Sequence, residues 1–491
     1  MIEFVREIAV YGLGDLVFRV IGYGSFLIYA RIFLPEEFGV LSLVITIGSI
    51  IGIFQELGMN NATQRFYLDP HLSKESRSRL VTTALTILLG WSVFLTLSGL
   101  ILFYSLQEIF TSRYGIRWSF VALTLLCNVP AQLLMFCQNM LRIYFSPWKF
   151  TFLSFYKNLV GILFSLVFIL VLKMGLLGFF LGECCALVLS IPICVFFIRK
   201  DLDWCFDEKI AQELLRFGYP FIFAGMGFWL FVSMDRWMLS ELSSNVEVGL
   251  YSVAGRFGMI ILFANEVFGR AWAPHALKLY AENPRYREVY SRVFSCWFFA
   301  MTLLGGFLSL FSSEIIRVST PEVYWRSAAP LSILAIGIVF SSTTQITALG
   351  ISLERQTKLF SFGSWGAALI NFVLNLLLIP RMGAVGSAFA TLVSYIVLNS
   401  YYLYWMQRLH PIVLEVKKLG ACVLINLLVL TVALNAQYFA TGFGLIALKA
   451  GICLSVVAVG IGLGIFGWAD LIKFFRSLWP GLERRCDQTG A

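Results

Sequence analysis

The sequence predicts an all-α polytopic membrane protein of about fourteen transmembrane helices, and three observations carry that expectation. Of 491 residues, 59% are hydrophobic and only 13% are charged, against about 25% charged in a soluble domain. So few charges cannot cover a water-facing surface, and the mean hydropathy of +0.82 agrees. Apolar runs recur along the whole chain, each long enough to cross ~30 Å of hydrocarbon at ~1.5 Å per residue. Short strings of the first half also reappear in the second at a nearly constant offset.

The runs follow one another in order. The first, 9–31, carries Asp15 and Arg19 among the glycines Gly12, Gly14, Gly22 and Gly24, and the turn LPEEF leads into 37–57. Runs 80–104 and 118–140 meet at Tyr104 and Trp118, aromatics suited to a membrane interface. Runs 148–172 and 175–198 are divided by Lys173-Met174-Gly175, and 217–240 and 248–270 by the loop SSNVEV. Next come 291–313 and 326–351, with Trp325 at the join, then 358–380 and 383–406, separated by Arg381-Met382. Runs 418–436 and 443–467 complete the set. The opening MIEFVRE carries two acids and the first run lacks a small-residue cleavage site, so no cleavable signal is expected.

Lysine and arginine set the expected orientation. With both termini in the cytoplasm, the inner face collects most of the 37 basic residues, among them Arg65, Lys74, Arg77, Arg199, Lys200, Lys278, Lys417 and Arg484. That is the positive-inside pattern. It accounts for the net charge of +9 without a nucleic-acid partner. Eight of the ten cysteines fall in spans, Cys205 and Cys486 on the cytoplasmic side, with no Cys-x-x-Cys pair. Neither disulfides nor a thiolate metal site is expected, and they read as small packing residues.

Glu7–Gly12 (EIAVYG) resembles Glu213–Gly218 (ELLRFG), Glu36–Ser42 (EEFGVLS) resembles Val246–Ser252 (VEVGLYS), and Lys173–Gly178 (KMGLLG) resembles Arg381–Gly386 (RMGAVG). Three matches in order at one register indicate a duplication of six spans. Six is even, so the copies run in parallel, related by an axis along the membrane normal, with a site expected between two lobes at mid-depth. The expected domains are a six-helix lobe (1–200), a cytoplasmic linker (201–216), a second lobe (217–410), two further helices (411–467) and an amphipathic cytoplasmic tail (468–491).

YARIFLPEEFGVLSLV, then ELGMNNATQRFY at 56–67, resembles the first hairpin of the polysaccharide transporter family within the multidrug/oligosaccharidyl-lipid/polysaccharide exporter superfamily. SMDRWMLSELSSNVEVGLYSVAGRFG at 233–258 resembles that family's seventh and eighth spans. The resemblance covers about residues 7–410 and its motifs are diffuse. It implies a V-shaped pair of lobes opening alternately to either face, with a hydrophilic cavity for a sugar headgroup and the polyprenyl tail left in lipid. The implied cargo is an undecaprenyl-diphosphate-linked repeat unit of O-antigen, capsule or exopolysaccharide, moved in the inner membrane without a cofactor. A polysaccharide polymerase and a chain-length regulator are the implied protein partners.

A diphosphate crossing hydrocarbon needs matched charge, and guanidinium supplies it in bidentate form. The basic residues within spans are Arg19, Lys157, Arg236, Arg256 and Lys449. Arg19 pairs with Asp15 one turn back or binds substrate, and both readings are open. Asp235 and Arg236 are adjacent, so their side chains leave the helix ~100° apart and each needs another partner. Asp235 bracing Arg256 would leave Arg236 for the substrate, and a plain interhelical clamp is the competing reading. Lys157 serves the cavity or pairs with Glu183. Lys449 is expected to snorkel from an outer end, and Glu266 and Arg270 to form a helix pair. The four span acids nearly balance the cations, so composition alone does not establish a positive cavity.

Asn128, Gln132, Gln138 and Asn139, with Gln345, Asn371 and Asn375, bind sugar hydroxyls or bond across helices. Gly225 and Gly227 permit bending or close packing. A drug or cation antiporter of the same superfamily would instead use Asp15 for coupling, and a peptidoglycan-precursor transporter is a near variant. A membrane enzyme is not expected, because His71, His275 and His410 all lie in cytoplasmic segments and no metal-spaced cluster occurs.

Overall fold

The computed structural model describes residues 21–69, 72–203, 205–354, 356–439 and 442–465, and no strand occurs among them. Among the described residues eleven helices are long and apolar enough to cross a membrane, or twelve if one bent pair is a single span. The expected number was about fourteen. The first run is described only from residue 21, where helix α1 covers 21–32. The eleventh and twelfth runs form one 53-residue helical element, whose backbone leaves helical geometry at Gly383 (φ 55°, ψ −131°).

In chain order the next helices are α2 (Pro35–Glu56), α3 (Met59–Tyr67), α4 (Lys74–Ser105), α5 (Gln107–Tyr114), α6 (Trp118–Ile143), α7 (Pro147–Leu166), α8 (Leu176–Ile198) and α9 (Glu208–Leu242). Then follow α10 (Asn245–Glu282), α11 (Tyr286–Leu310), α12 (Ser312–Ser319), α13 (Ala328–Ser342), α14 (Thr344–Thr347), α15 (Leu349–Leu353), α16 (Thr357–Leu409), α17 (Val416–Phe439) and α18 (Gly442–Gly462). Helix α9 bends by 41° between Gly227 and Trp229, beside a glycine as such kinks usually are.

Two compact units emerge, and their boundary differs from the repeat boundary. The first holds residues up to Val253 with Ser319–Tyr324 and Phe372–Ser387; the second holds the remainder. In the first unit α2 and α6 run in parallel at a fixed register. Asn128 Nδ2 donates to the Gly48 carbonyl (3.0 Å), Gln132 Nε2 to that of Gly52 (2.8 Å) and Asn139 Nδ2 to that of Asn60 (2.9 Å). Gln55 donates from α2 to Thr96 on α4 (3.0 Å), which in turn donates to the Leu125 carbonyl (3.2 Å). Three of the four amides expected in the fourth span are thus held by helix backbone, and Gln138 bonds Ser154. Small residues let these backbones approach, the usual solution where lipid supplies no hydrophobic drive.

The duplication is visible as geometry. Gly175 (φ 56°, ψ −136°) and Gly383 (φ 55°, ψ −131°) take the same non-helical conformation 208 residues apart. A Cβ on Gly39 would collide with the Asn245 carbonyl oxygen, and one on Gly249 with that of Pro35. Those contacts are reciprocal, since Gly39 and Gly249, like Pro35 and Asn245, lie 210 positions apart. Ser252 donates to its own duplicate Ser42 (2.8 Å). The tips beside this crossing are tied by Asn245 Nδ2 to the Tyr114 carbonyl (2.7 Å) and by the Tyr324 hydroxyl to that of Phe33 (2.8 Å).

The expected surface linker 201–216 is also built in. Asp201 is buried and accepts from the Tyr67 (2.8 Å) and Tyr144 hydroxyls. Burial pushes the Tyr144 phenol well above its ordinary pKa, and the Asp201 carboxylate pushes it further the same way. Asp207 caps α9 at the Lys209 and Ile210 amides (2.9 and 3.2 Å), so 208–216 is the start of that helix.

In the second unit, Trp272, Tyr290, Phe294 and Met406 form a core. Gly305 lies against Val339, Asn426 donates to Thr302 (2.9 Å), and His410 is held between Tyr286 (3.1 Å) and Glu354 (2.9 Å).

Val in place of Gly39 or Gly249 is expected to lower the melting temperature of the purified protein by several degrees or more, because the partner is backbone and cannot move aside. Gly255 has open space around its Cβ position. Gly255→Ala should leave the melting temperature unchanged or raise it slightly.

Candidate substrate site in the spans

The acidic half of the Asp-Arg pair on α9 is only 2% exposed. Its Oδ2 accepts from the Tyr251 hydroxyl on α10 (2.7 Å) and its Oδ1 from Asn375 Nδ2 on α16 (2.7 Å). A carboxylate within a span needs such donors to offset lost hydration. Asp235 therefore joins three spans, and Asn375 acts as its partner.

Arg236 differs. It is half-buried; its NH1 reaches the Val232 carbonyl of its own helix at 3.5 Å, and its Nε is buried without a partner. Among the described residues no carboxylate pairs with it. Trp229 lies seven positions earlier, roughly two turns, so Arg236 and Trp229 share a stripe of α9. Trp229 donates to Ser49 on α2 (2.9 Å). Beside that stripe α2, α4, α5 and α9 enclose an apolar groove of about 510 Å³, whose walls include Phe54, Phe103, Phe110, Trp229 and Trp237.

The other expected cations fare differently. Lys157 is bonded to Glu183 at 2.6 Å, both partly buried, so its charge has a partner on α8. Arg256 is exposed on α10 and belongs to the second unit. Arg19 and Asp15 lie outside the described residues. Glu266 and Arg270 approach to 4.0 Å as the expected i,i+4 pair. Lys449 overturns its expectation. Instead of snorkelling it is 1% exposed, with its ammonium on both Glu314 oxygens (2.7 and 2.8 Å). Glu314 lies 135 positions away in the chain, and hydropathy does not show that α12 brings it to α18.

Three ties escaped the sequence reading. Glu241 takes Arg113 and the Tyr114 hydroxyl (2.8 Å), Glu247 caps the Ala384 amide (2.8 Å) after the Gly383 break, and Asp201 takes its two tyrosines. Only Glu247 carried a signal, since it and Gly383 both lie in repeat motifs. Among the described residues no group of His, Cys, Asp and Glu is arranged to hold a metal.

Residues 28–330 match the polysaccharide biosynthesis protein family. The chain belongs to that family. An uncharacterized membrane protein of Methanocaldococcus jannaschii is 23% identical over 410 residues, covering 78% of this chain and 92% of that protein. The probable low-salt glycan biosynthesis flippase Agl15 of Haloferax volcanii is 22% identical over 247 residues, about half of each chain. Among solved structures, the lipid II flippase MurJ in an inward closed conformation aligns with a TM-score of 0.75 at 16% identity, over 94% of this chain and all of that one. An inward-facing MATE-family multidrug resistance transporter of the MOP superfamily aligns at 0.62 and 15% identity, over 82% and 94%. This family member therefore has the fold of the MOP-superfamily transporters.

Lys449→Ala is expected to destabilise the protein by about 3–5 kcal/mol, because it strands a partly buried carboxylate. Adding Glu314→Gln to Lys449→Met should recover most of that loss. Thermal unfolding of the three variants in one detergent checks both.

Proposed function

We propose that this protein is a flippase that moves a polyprenyl-diphosphate-linked oligosaccharide, of the kind built into O-antigen, capsule or exopolysaccharide, from the inner to the outer leaflet of the cytoplasmic membrane by alternating access. The observation that carries this reading is Arg236, a half-buried guanidinium in a span with no carboxylate partner among the described residues. Such a group costs about 2.5–3.5 kcal/mol to insert, and an anionic headgroup would offset that cost during transport. The adjacent apolar groove suits the polyprenyl chain, so one helix offers an anion contact and an isoprenoid contact together. Membership of a polysaccharide biosynthesis family and the transporter fold support the same class.

In this reading Arg19 and Arg256 extend the cationic path, Asp235 holds α9 in place, and Lys157 with Glu183 braces the first lobe. The lobes 1–200 and 217–410 rock against each other, with both termini cytoplasmic. A polymerase and a chain-length regulator would take the delivered unit. Charge matching and a hydrogen-bonded path do this work, and no chemical step on the glycan is needed.

Deleting the gene should make lipid-linked oligosaccharide accumulate while surface polysaccharide is lost, and wild type should restore both. Arg236→Ala should restore transport at roughly 10–100-fold lower rate, the worth of a charged hydrogen bond. Arg236→Lys should fall between, since ammonium keeps the charge without the bidentate fork. Unchanged glycan with altered sensitivity to cationic drugs would refute the flippase and favour an antiporter.

A further inference from the structure

The second apolar run ends at Leu57, and the backbone breaks there before a short polar helix continues. Helix α2 ends at Glu56, and both Leu57 (φ 51°, ψ 19°) and Gly58 (φ 68°, ψ 15°) take left-handed backbone before α3 begins at Met59. Leucine rarely adopts that conformation, and such strain persists only where the surroundings enforce it. The enforcing contact is with α9: a Cβ on Gly58 would collide with the Gly218 carbonyl oxygen, and one on Gly218 with that of Leu57. The duplicate helix α10 passes the equivalent positions, Val267 and Phe268, without a break. The interruption therefore belongs to the first copy alone and is not inherited from the duplicated scaffold.

The break turns α3 so that Met59, Ala62 and Thr63 are buried, while Phe66 and Tyr67 pack on the core. Asn61, Gln64, Arg65 and Leu68 then share the opposite face, at the i, i+3, i+4, i+7 spacing of one helical stripe. Across from them stand Phe217 and Phe221, one turn apart on α9, and together the six residues line a cavity of about 310 Å³. That is the lower end of the roughly 300–1,000 Å³ typical of small-ligand pockets. Asn61, Gln64 and Arg65 are exposed, and among the described residues none of them is engaged by another group.

We infer that this cavity is a loading site that recognises the first sugar and adjoining phosphate of the lipid-linked glycan. The inference rests on the flippase reading above and names a second contact for the same substrate. Planar amides at Asn61 and Gln64 offer a donor and an acceptor each, which matches neighbouring hydroxyls on a sugar ring. The phenylalanine faces suit its apolar C–H face, and the Arg65 guanidinium suits phosphate oxygens. An anionic phospholipid headgroup would use the arginine but leave two amides and two aromatic rings without a task. The cavity lies on the side where the distribution of lysine and arginine places the cytoplasm, so the glycan would meet it before Arg236.

The test uses the full chain in nanodiscs and three probes: lipid-linked oligosaccharide extracted from the deletion strain, undecaprenyl diphosphate without sugar, and phosphatidylglycerol. Gln64→Ala and Phe221→Ala should weaken binding of the first at least tenfold and leave the second unchanged. Arg65→Ala should weaken both. All three residues are exposed, and an unchanged melting temperature confirms that each variant folds. Equal effects of Gln64→Ala or Phe221→Ala on sugar-bearing and sugar-free carriers, or no effect of any of the three variants on either, would overturn the loading site. Competition by phosphatidylglycerol at the affinity of the glycan would overturn it in favour of a phospholipid headgroup. If the site fails while the deletion strain accumulates lipid-linked glycan and Arg236→Ala stays defective, the flippase reading stands alone. A deletion strain without accumulation removes both.

Discussion

The buried carboxylate of Asp235 ties the seventh span to its neighbours. An ionised oxygen in hydrocarbon must collect donors, and it collects one from Tyr251 and one from Asn375. Those donors stand on α10 and α16, so a single charge fixes the mutual register of three helices in the first unit. Arg236, next in sequence, inherits its direction from that arrangement. With its neighbour committed, it projects along the stripe that carries Trp229, beside the apolar groove.

The crossing of the duplicated hairpins follows the same economy. Two glycines accept each other's neighbouring carbonyls at reciprocal positions, and Ser42 meets Ser252 at the centre. Such an interface is self-complementary in the way of a two-fold dimer, here within one chain. The ties around it are mostly neutral hydrogen bonds, Asn245 to Tyr114 and Tyr324 to Phe33 among them. Neutral bonds of this kind are worth about 0.6 kcal/mol each in membranes. The ion pairs that are most enclosed, Lys157 with Glu183 and Lys449 with Glu314, lie away from the crossing and brace helices within single units.

Symmetry also shows where the copies have diverged. Gly175 and Gly383 keep one backbone conformation, but only Gly383 is followed by an amide capped from Glu247. The first copy breaks at Leu57 and Gly58, while α10 runs on unbroken. A duplicated fold begins with two equivalent halves, and these positions mark where the two have since diverged. The strained break is the most local of the differences, and it reshapes one end of the second span beyond the bonds that tie α2 to α6 at Gly48 and Gly52.

The sequence by itself determined the solvent, the helical class, the duplication and its register. Those properties depend on hydropathy over about twenty residues and on strings that repeat at fixed distance, and both are local in the chain. It also pointed to the pair one turn apart, Glu266 with Arg270, and offered Lys157 with Glu183 as one of two open readings. Only the tertiary structure decided the long-range partners: Asn375 for Asp235 across 140 positions, Glu314 for Lys449 across 135, and the Gly52 carbonyl for Gln132 across 80. The break between the eleventh and twelfth runs was likewise located there, at the non-helical backbone of Gly383. Which polar group meets which depends on how close two backbones come, and small residues set that approach from opposite sides of a contact. Neither side's sequence records the other, so the same asparagine reads equally as ligand or clamp until its neighbour is in place.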